Sequence, residues 1–525
     1  MPTTPRISSR VDRASVKRRR PRLSPRGASI ALAFLSVQSA AQGQRPSPLT
    51  VAAAVDSLAE RAIDAGIAPA LGLAIVMDGK TIHRRGYGMS DATAGIRATE
   101  GTLWYIASTS KSLTGFAASL LATHGALAFE EPITALLPGV TWNAAAPADS
   151  LTLVHFLTHT HRLNDNAVVL SAAFTGEIPE SRWPALVALA KPSGNRDLVY
   201  SNFGYNVAAM VIDRIRPEGW RRFMENAIYK PLNMRNTFAR VSGIQPRLIA
   251  RPHLLRPDGR YVTETFFKTD ATMNSAGGHL ATVGDLARWA IVQMDSGNID
   301  GRRVFPRAAI ERSQQLLARQ TREQSKRFAW FDRDGWGAGW DIGSYEGERM
   351  ISRFGGYSTF RSHLSFLPRH RIGVVAITTG GLGSSLTDLL ATFAYDLEAA
   401  RPDARARAEQ RFADLVTRLV TARRAAATRD STREVQHRLP LNRALADFAG
   451  RFSAPAYGTI VISARDARLH YRWGAVNGPL VPDDIAKRVF TFEAAGADMQ
   501  MAFELPDAGV ATSLTVNGIS FTRQP

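Results

Sequence analysis

Ser108 and Lys111 stand three residues apart in Ser108-Thr109-Ser110-Lys111-Ser112-Leu113-Thr114-Gly115, and Tyr200-Ser201-Asn202 follows about ninety residues later. A serine hydroxyl is a weak nucleophile at neutral pH and needs a neighbour to take its proton. On a helix, residues three apart share a face, one turn from each other. The apolar positions that follow, Leu113, Phe116, Ala117, Leu120 and Leu121, carry a helical period. Ser108 is therefore expected at a helix start, where unpaired backbone N–H groups and the positive dipole end stabilise developing negative charge. Lys111 serves as a base only if burial or nearby cations lower its pKa. This spacing offers acyl transfer through a serine ester, as in other S-x-x-K sites.

Tyr200 and Asn202 sit in Tyr-Ser-Asn-Phe-Gly-Tyr-Asn, after the turn-like Pro192-Ser193-Gly194-Asn195. A tyrosine beside Lys111 would relay the serine proton. The Asn202 amide would hold Lys111 and a substrate carbonyl. Each motif alone has a plainer reading: a Ser/Thr-rich cap followed by a solvated lysine, and a loop tyrosine packed beside a turn. Their order and spacing favour the catalytic one.

From Pro69 to Gly381 the chain resembles the serine β-lactamase-like family of class C β-lactamases, D-alanyl-D-alanine carboxypeptidases, D-aminopeptidases and related esterases. Pro69-Ala-Leu-Gly-Leu-Ala-Ile-Val-Met-Asp-Gly-Lys80 is similar to the opening hairpin of that family, with an Asp-Gly turn. Gly86-Tyr-Gly-Met-Ser-Asp91, Trp104-Tyr-Ile-Ala-Ser108-Thr-Ser-Lys111 and Leu151-Thr-Leu-Val-His-Phe-Leu-Thr-His-Thr160 follow in order. So do Tyr200-Ser-Asn-Phe-Gly-Tyr205, Pro231-Leu-Asn-Met-Arg-Asn-Thr237 and Ala276-Gly-Gly-His-Leu-Ala-Thr282. The resemblance implies Ser108 as nucleophile, Lys111 and Tyr200 as the base pair and Asn202 as a polar support. It also implies an α/β (α+β) transpeptidase-like fold, an antiparallel sheet beside an all-α region.

The third motif departs from the family, whose members carry Lys-Thr-Gly or His-x-Gly on a strand beside the serine. The aligned stretch is Arg353-Phe354-Gly355-Gly356-Tyr357-Ser358-Thr359-Phe360-Arg361. Gly355 and Gly356 let the strand backbone approach substrate. The Tyr357 N–H is expected as the second oxyanion donor beside the Ser108 N–H. Phe354 is read at the position of the basic side chain, and strand alternation would turn Arg353 to the opposite face. Loss of that charge favours an esterase on small or D-configured acyl groups. The alternatives are a D-stereospecific peptidase or weak β-lactamase and, from another class, a binding or sensor protein that acylates once without turnover. A second departure is His159-Thr-His161-Arg162, where the family reads His-Thr-Ser-Gly.

His155, His159, His161 and Asp165 superficially resemble a metallo-hydrolase cluster, but the acid is displaced, no histidine follows it and the chain has no cysteine. His159 is expected to bond backbone, and neither metal nor cofactor is expected. The length of 525 residues exceeds one ordinary domain, and 45% hydrophobic content excludes a disordered chain.

Residues 1–27 hold nine Lys/Arg and one Asp, Ala28–Val37 is mainly apolar, and Ser39-Ala40-Ala41 is a small-x-small exit. This is the pattern of a signal peptide over 1–41, cut after Ala41, with an apolar run too short for a membrane span. Its removal takes nine minus one from the formal charge of +19 and leaves +11. The remaining excess is dispersed and shows no aromatic-interleaved basic patch, so a nucleic-acid partner is not expected. The expected partner is a small ester, amide or D-peptide. The expected location is periplasmic or secreted, and the oligomeric state is left open.

Residues 42–400 are assigned to the hydrolase domain. Its first helix is expected over Leu49–Gly66, its strands at Leu71–Met77, Thr81–Gly86 and Tyr345–Thr379, and its closing helix at Leu386–Ala400. Residues 116–344 read mainly as helices and loops. Residues 401–438, with ten Arg and five acids, read as a helical linker. From 439 to 525 short strands and Asn-Gly turns predict a small lipocalin-like β-barrel without catalytic groups.

Overall fold

The computed structural model describes residues 45–525 outside 194–199, 265–267, 322–329, 438, 440 and 495. The leader assigned to 1–41 and part of the Pro192–Asn195 turn lie outside the described residues. Helix α1 (Pro48–Asp64) is capped by Ser47, whose Oγ accepts from Thr50 N, with Pro48 in its first turn. Its stripe of Val51, Val55, Leu58 and Ala62 is fully or nearly fully buried. That stripe packs against a central antiparallel sheet, as its period requires.

The sheet is built from β1 (Ala70–Met77), β2 (Lys80–Asp91), β3 (Asp332–Trp336), β4 (Asp341–Tyr345), β5 (Glu348–Tyr357), β6 (Phe360–Leu367) and β7 (Ile372–Thr379). Two-residue strands at Ile96–Arg97 and Ala318–Arg319 extend it at either edge, giving the order Ala318–Arg319, β3, β4, β5, β6, β7, β1, β2, Ile96–Arg97. β1 and β7 are buried along their whole length, because helices cover both faces. On one face lie α1 and the helix Gly383–Glu398. On the other lies the helical region containing α2 (Ser110–Thr123), α3 (Phe203–Ile215) and α4 (Val283–Met294). The helix Gly383–Glu398 is α5.

Besides short strands of two or three residues, two five-residue strands of the central sheet fall where mainly helices and loops were expected. β3 and β4 lie inside residues 116–344, and their Arg333, Gly335 and Asp341 break the apolar run that would mark a strand in sequence. The 34-residue helix α6 (Ala404–His437) follows α5.

The C-terminal region is a nearly closed barrel of nine strands: β8 (Gly450–Ala454), β9 (Gly458–Arg465), β10 (Arg468–Trp473), β11 (Val476–Pro479), β12 (Val481–Asp484), β13 (Val489–Ala494), β14 (Ala497–Glu504), β15 (Ser513–Val516) and β16 (Ile519–Arg523). Phe452, Trp473, Phe490, Phe503 and Phe521 fill it. By contacts, residues 43–525 form one compact unit, so the barrel is packed on the rest and is not a tethered appendage.

Candidate active site

A 3-10 turn over Ala107–Thr109 leads into α2, and Ala107 holds the left-handed conformation at φ 47. A non-glycine residue pays for that conformation, and here the surroundings hold it in place. Ser362 Oγ donates to Ile106 O at 2.7 Å and shares a hydrogen bond with Thr109 Oγ1 at 2.8 Å. With the Ser362 proton on Ile106 O, the single Thr109 hydroxyl proton goes either to Ser362 Oγ or to Arg353 O at 3.3 Å. The turn is thereby pinned to β5 and β6, and Ser108 lies on the wall of a cleft of about 720 Å³.

Lys111, one turn later, is completely buried. Its ammonium donates to Ser108 Oγ at 3.1 Å, Asn202 Oδ1 at 2.6 Å and Ala276 O at 2.6 Å. Burial is the main cause that lowers its pKa, to about 8; Tyr200 opposes the fall and Arg353 adds to it. Asn202 precedes α3 but does not cap it, because its side chain is turned to Lys111.

The Tyr200 hydroxyl donates to Ser108 Oγ at 2.6 Å. The Tyr200 residue is 46% exposed, but withdrawal of its hydroxyl from water would by itself raise the phenol; Lys111 and Arg353 outweigh this and bring Tyr200 down to about 8. Lysine and tyrosine thus share nearly the same range around one serine oxygen, and their protons move as those of a pair.

Arg353 is the residue that strand register displaced in the sequence reading. Arg353 and Phe354 do point to opposite faces, but the face of Arg353 carries the cleft chemistry. Its guanidinium is buried, donates to the Tyr200 hydroxyl at 3.1 Å and to Ser108 O at 3.0 Å, and pairs with Asp341 at 3.0 Å. Asp341 also accepts from Arg333 at 2.6 Å, and the Arg333 guanidinium lies 3.9 Å from the Trp336 ring centre. Phe354 instead stacks on Phe331 at 5.3 Å and edges onto His363 at 4.8 Å, against the apolar core below α1 and α5. The positive charge near the serine is therefore present as Arg353, while Phe354 lines the same cleft and packs its ring on Phe331 and His363.

The oxyanion donor also moves by one residue. β5 and β6 form a hairpin with a two-residue turn, pairing Tyr357 with Phe360 and Gly356 with Arg361. Gly380 N donates to Thr359 O, next to the Phe360–Thr379 pair of β6 and β7. In an antiparallel ladder this alternation turns the N–H and C=O of Phe360 toward Tyr357. The Tyr357 N–H is thus committed to the hairpin, and the Gly356 N–H points out of the sheet edge into the cleft. Ser108, in the first helical turn, has no carbonyl ahead of its own N–H. Gly355 lets β5 close on this turn: a Cβ there would stand 2.3 Å from Ile106 O and 3.0 Å from Ser108 N. The Tyr357 ring lines the cleft, its hydroxyl donating to Ala173 O at 2.9 Å.

His155, His161 and Asp165 each bind backbone locally, and His159 binds backbone of the Tyr200 segment. His159 Nδ1 accepts from Ser201 N at 3.2 Å, with its ring 4.6 Å from Tyr200. Burial, then Arg353 and Lys111, hold this histidine well below its ordinary pKa, so it is neutral. His155 accepts from Thr152 N, His161 from Leu163 N, and Asp165 from Val168 N and Val169 N. His159 therefore buttresses the segment that carries Tyr200. Sequence reading named Ser108, Lys111, Tyr200 and Asn202, which the structure brings together. It missed Asp341, Arg333 and Trp336, which have no motif. It set aside Arg353, whose signal was its basic character two residues before Gly355.

A sequence model described as Beta-lactamase matches residues 55–397. Protein flp of Staphylococcus aureus (strain NCTC 8325 / PS 47) is 21% identical over 340 residues, covering 62% of this chain and 62% of that protein. The chain thus spans under two thirds of that relative's length. Penicillin-binding protein 4 of Amycolatopsis lactamdurans is 23% identical over 342 residues, 63% of this chain and 87% of that one. Among solved structures, the octameric penicillin-binding protein homologue from Pyrococcus abyssi superposes with a TM-score of 0.56 at 18% identity, covering 90% of this chain and 99% of its own. The D-amino acid amidase from Ochrobactrum anthropi SV3 gives 0.54 at 17%, covering 69% and 99%. At these identities the superpositions speak to the fold. Among the described residues, no helix is long and apolar enough to cross a membrane.

Proposed function

The chain belongs to the Beta-lactamase family, and from that premise we propose that it is an exported serine hydrolase that cleaves esters or amides through an acyl-serine intermediate. The observation that carries this reading is the convergence of Lys111 Nζ at 3.1 Å and the Tyr200 hydroxyl at 2.6 Å on Ser108 Oγ. In the proposed cycle the deprotonated Lys111–Tyr200 pair takes the proton from Ser108 as its oxygen attacks the acyl carbon. The N–H groups of Ser108 and Gly356 hold the resulting oxyanion. The pair then protonates the departing alkoxide or amine. Water, losing a proton to the same pair, attacks the acyl-enzyme, and the pair returns that proton to Ser108 Oγ as the acid is released.

The expected preference for neutral esters rests on Phe354 standing in place of a cation. Arg353 removes that ground, so esters and amides are both retained. A second reading lies within the same chemistry, a D-stereospecific peptidase or amidase or a weak β-lactamase, since neutral esters are no longer singled out. The fold likeness to a D-amino acid amidase agrees with it. Export rests on the basic, apolar and small-residue order of residues 1–41.

Ser108→Ala is expected to abolish both hydrolysis and covalent labelling by a fluorophosphonate, with an unchanged melting temperature. Persistent labelling and turnover in that variant would overturn the reading. Burst kinetics with p-nitrophenyl esters, D-amino-acid amides and nitrocefin separates an enzyme, which keeps a steady rate, from a sensor that stops at one equivalent.

A further inference from the structure

The barrel reaches the cleft. Ala494, Gly496 and Ala497, at the β13–β14 turn, line the same cavity as Ser108, Tyr357 and Phe174. The barrel touches both lips at this end. On the sheet side Gly496 takes φ +84 and sits so close to the β5–β6 turn that a Cβ on it would stand 3.0 Å from Ser358 Cα. On the helical side Ala475 N donates to Thr175 O at 2.8 Å, and Thr459 N donates to Glu177 Oε2 at 3.0 Å. Phe174 and Tyr357, one from each lip, lie 5.6 Å apart between these two attachments.

The turn is held from behind. Arg433 of α6 bonds Glu493 Oε2 at 3.3 Å and Asp498 Oδ1 at 2.6 Å, one residue on each strand flanking the turn. Tyr471 of β10 donates to Glu493 O at 2.5 Å. A turn fixed on both strands and seated on the β5–β6 turn just after Gly356 is a wall, and its side chains at the cavity are the smallest available. Methyl groups and a bare Cα leave room that larger side chains would fill.

We propose that the barrel completes the substrate cleft, and that Ala494, Gly496 and Ala497 set how long an arm of the substrate can run from Ser108 past Tyr357. The substrates are then acyl compounds with one short arm on that side. The inference rests on the hydrolase reading above and adds a specificity wall to it. Ala497 is the residue to test, because it is exposed to the cleft and Ala494 is buried.

In the full chain, Ala497→Trp is compared with wild type on two series: p-nitrophenyl esters from acetate to decanoate, and alkyl acetates of rising alcohol length. Ala464→Trp, on exposed barrel surface away from the cleft lining, is the control. The expected result is a long-to-short ratio of kcat/KM lower by about tenfold or more in one series for Ala497→Trp, the scale of methylenes excluded from a pocket. Ala464→Trp should keep the wild-type ratio. The series that responds tells whether the acyl or the alcohol portion faces the barrel. If Ala497→Trp fails to fold, Ala497→Leu is read in the same way. Unchanged ratios in both series, or the same change in Ala464→Trp, would overturn the wall. Failure of Ser108 to label with a fluorophosphonate would overturn the hydrolase reading instead, and the wall with it.

Discussion

Arg353 donates to the Tyr200 hydroxyl at 3.1 Å while its other terminal nitrogen pairs with Asp341 at 3.0 Å. The guanidinium therefore holds the phenol oxygen next to Ser108 and favours its ionised form. Because Lys111 and Tyr200 both fall to about 8, kcat/KM should rise with pH and level off above that range. Below it, where the pair holds the proton that Ser108 must give up, the rate should drop about tenfold per pH unit. Arg353 lowers both groups, so Arg353→Met should raise both and move the acid limb to higher pH. Arg353→Lys keeps the charge without the fork and should move it less. A pH–rate profile of the three proteins checks this; an unmoved limb in Arg353→Met would remove the guanidinium from the proton chemistry.

Lys111→Ala and Tyr200→Phe should each lower kcat on the order of 10²–10⁴-fold, as removal of a general base does. Both touch the same serine oxygen, so the double variant should be little slower than the slower single one. Fully multiplicative losses would mean that the two act in separate steps.

The difference between Phe354 and Arg353 shows how legible this site was. Ser108, Lys111 and Tyr200-Ser-Asn could be read because a helical three-residue spacing and a short loop motif survive in one dimension. The strand motif did not, because a strand has a period of two and a one-residue error in alignment exchanges its faces. That single step moved the cation from Arg353 to the wrong face and the oxyanion N–H from Gly356 to Tyr357. Asp341 and Arg333 had no signal at all: they lie on β3 and β4, whose charged residues and glycines hide the strand pattern. The barrel was legible as short strands between turns. Sequence pattern marks the strands at Thr459–Ser463, Arg468–Trp473, Val489–Glu493, Met499–Leu505 and Ser513–Val516, whereas β8, β11, β12 and β16 show only once paired, since edge and five-residue strands carry little pattern.

Phe354 offers a direct check on that correction. Its half-buried ring packs on Phe331 and His363, so Phe354→Ala should destabilise the protein by about 2 kcal/mol, less than the ~3–5 kcal/mol of a fully buried phenylalanine. Relative rates on neutral esters and on carboxylate-bearing β-lactams should stay as in wild type. Chemical denaturation and the two rates, measured side by side, decide it. A changed preference at unchanged stability would return Phe354 to the substrate site.

Gly355 and Gly356 are neighbours with opposite tolerances. A Cβ on Gly355 would meet Ile106 O and Ser362 Oγ at 2.3 Å each and Ser108 N at 3.0 Å. Two of these are backbone atoms of the nucleophile's own turn, which can give way only by parting from β5. Gly355→Ala should therefore slow fluorophosphonate labelling of Ser108 on the order of 10²-fold, the scale of an ångström-sized misplacement at a reacting centre. At Gly356 the nearest atom a Cβ would meet is Arg361 Cδ at 3.7 Å, an ordinary contact with a flexible side chain. Gly356→Ala also keeps its N–H, so its labelling rate should stay within a few-fold of wild type. Labelling rates, read with melting curves, distinguish the two. Equal losses in both variants would mean that the glycines serve only the hairpin, and that the approach of β5 to Ser108 does not govern acylation.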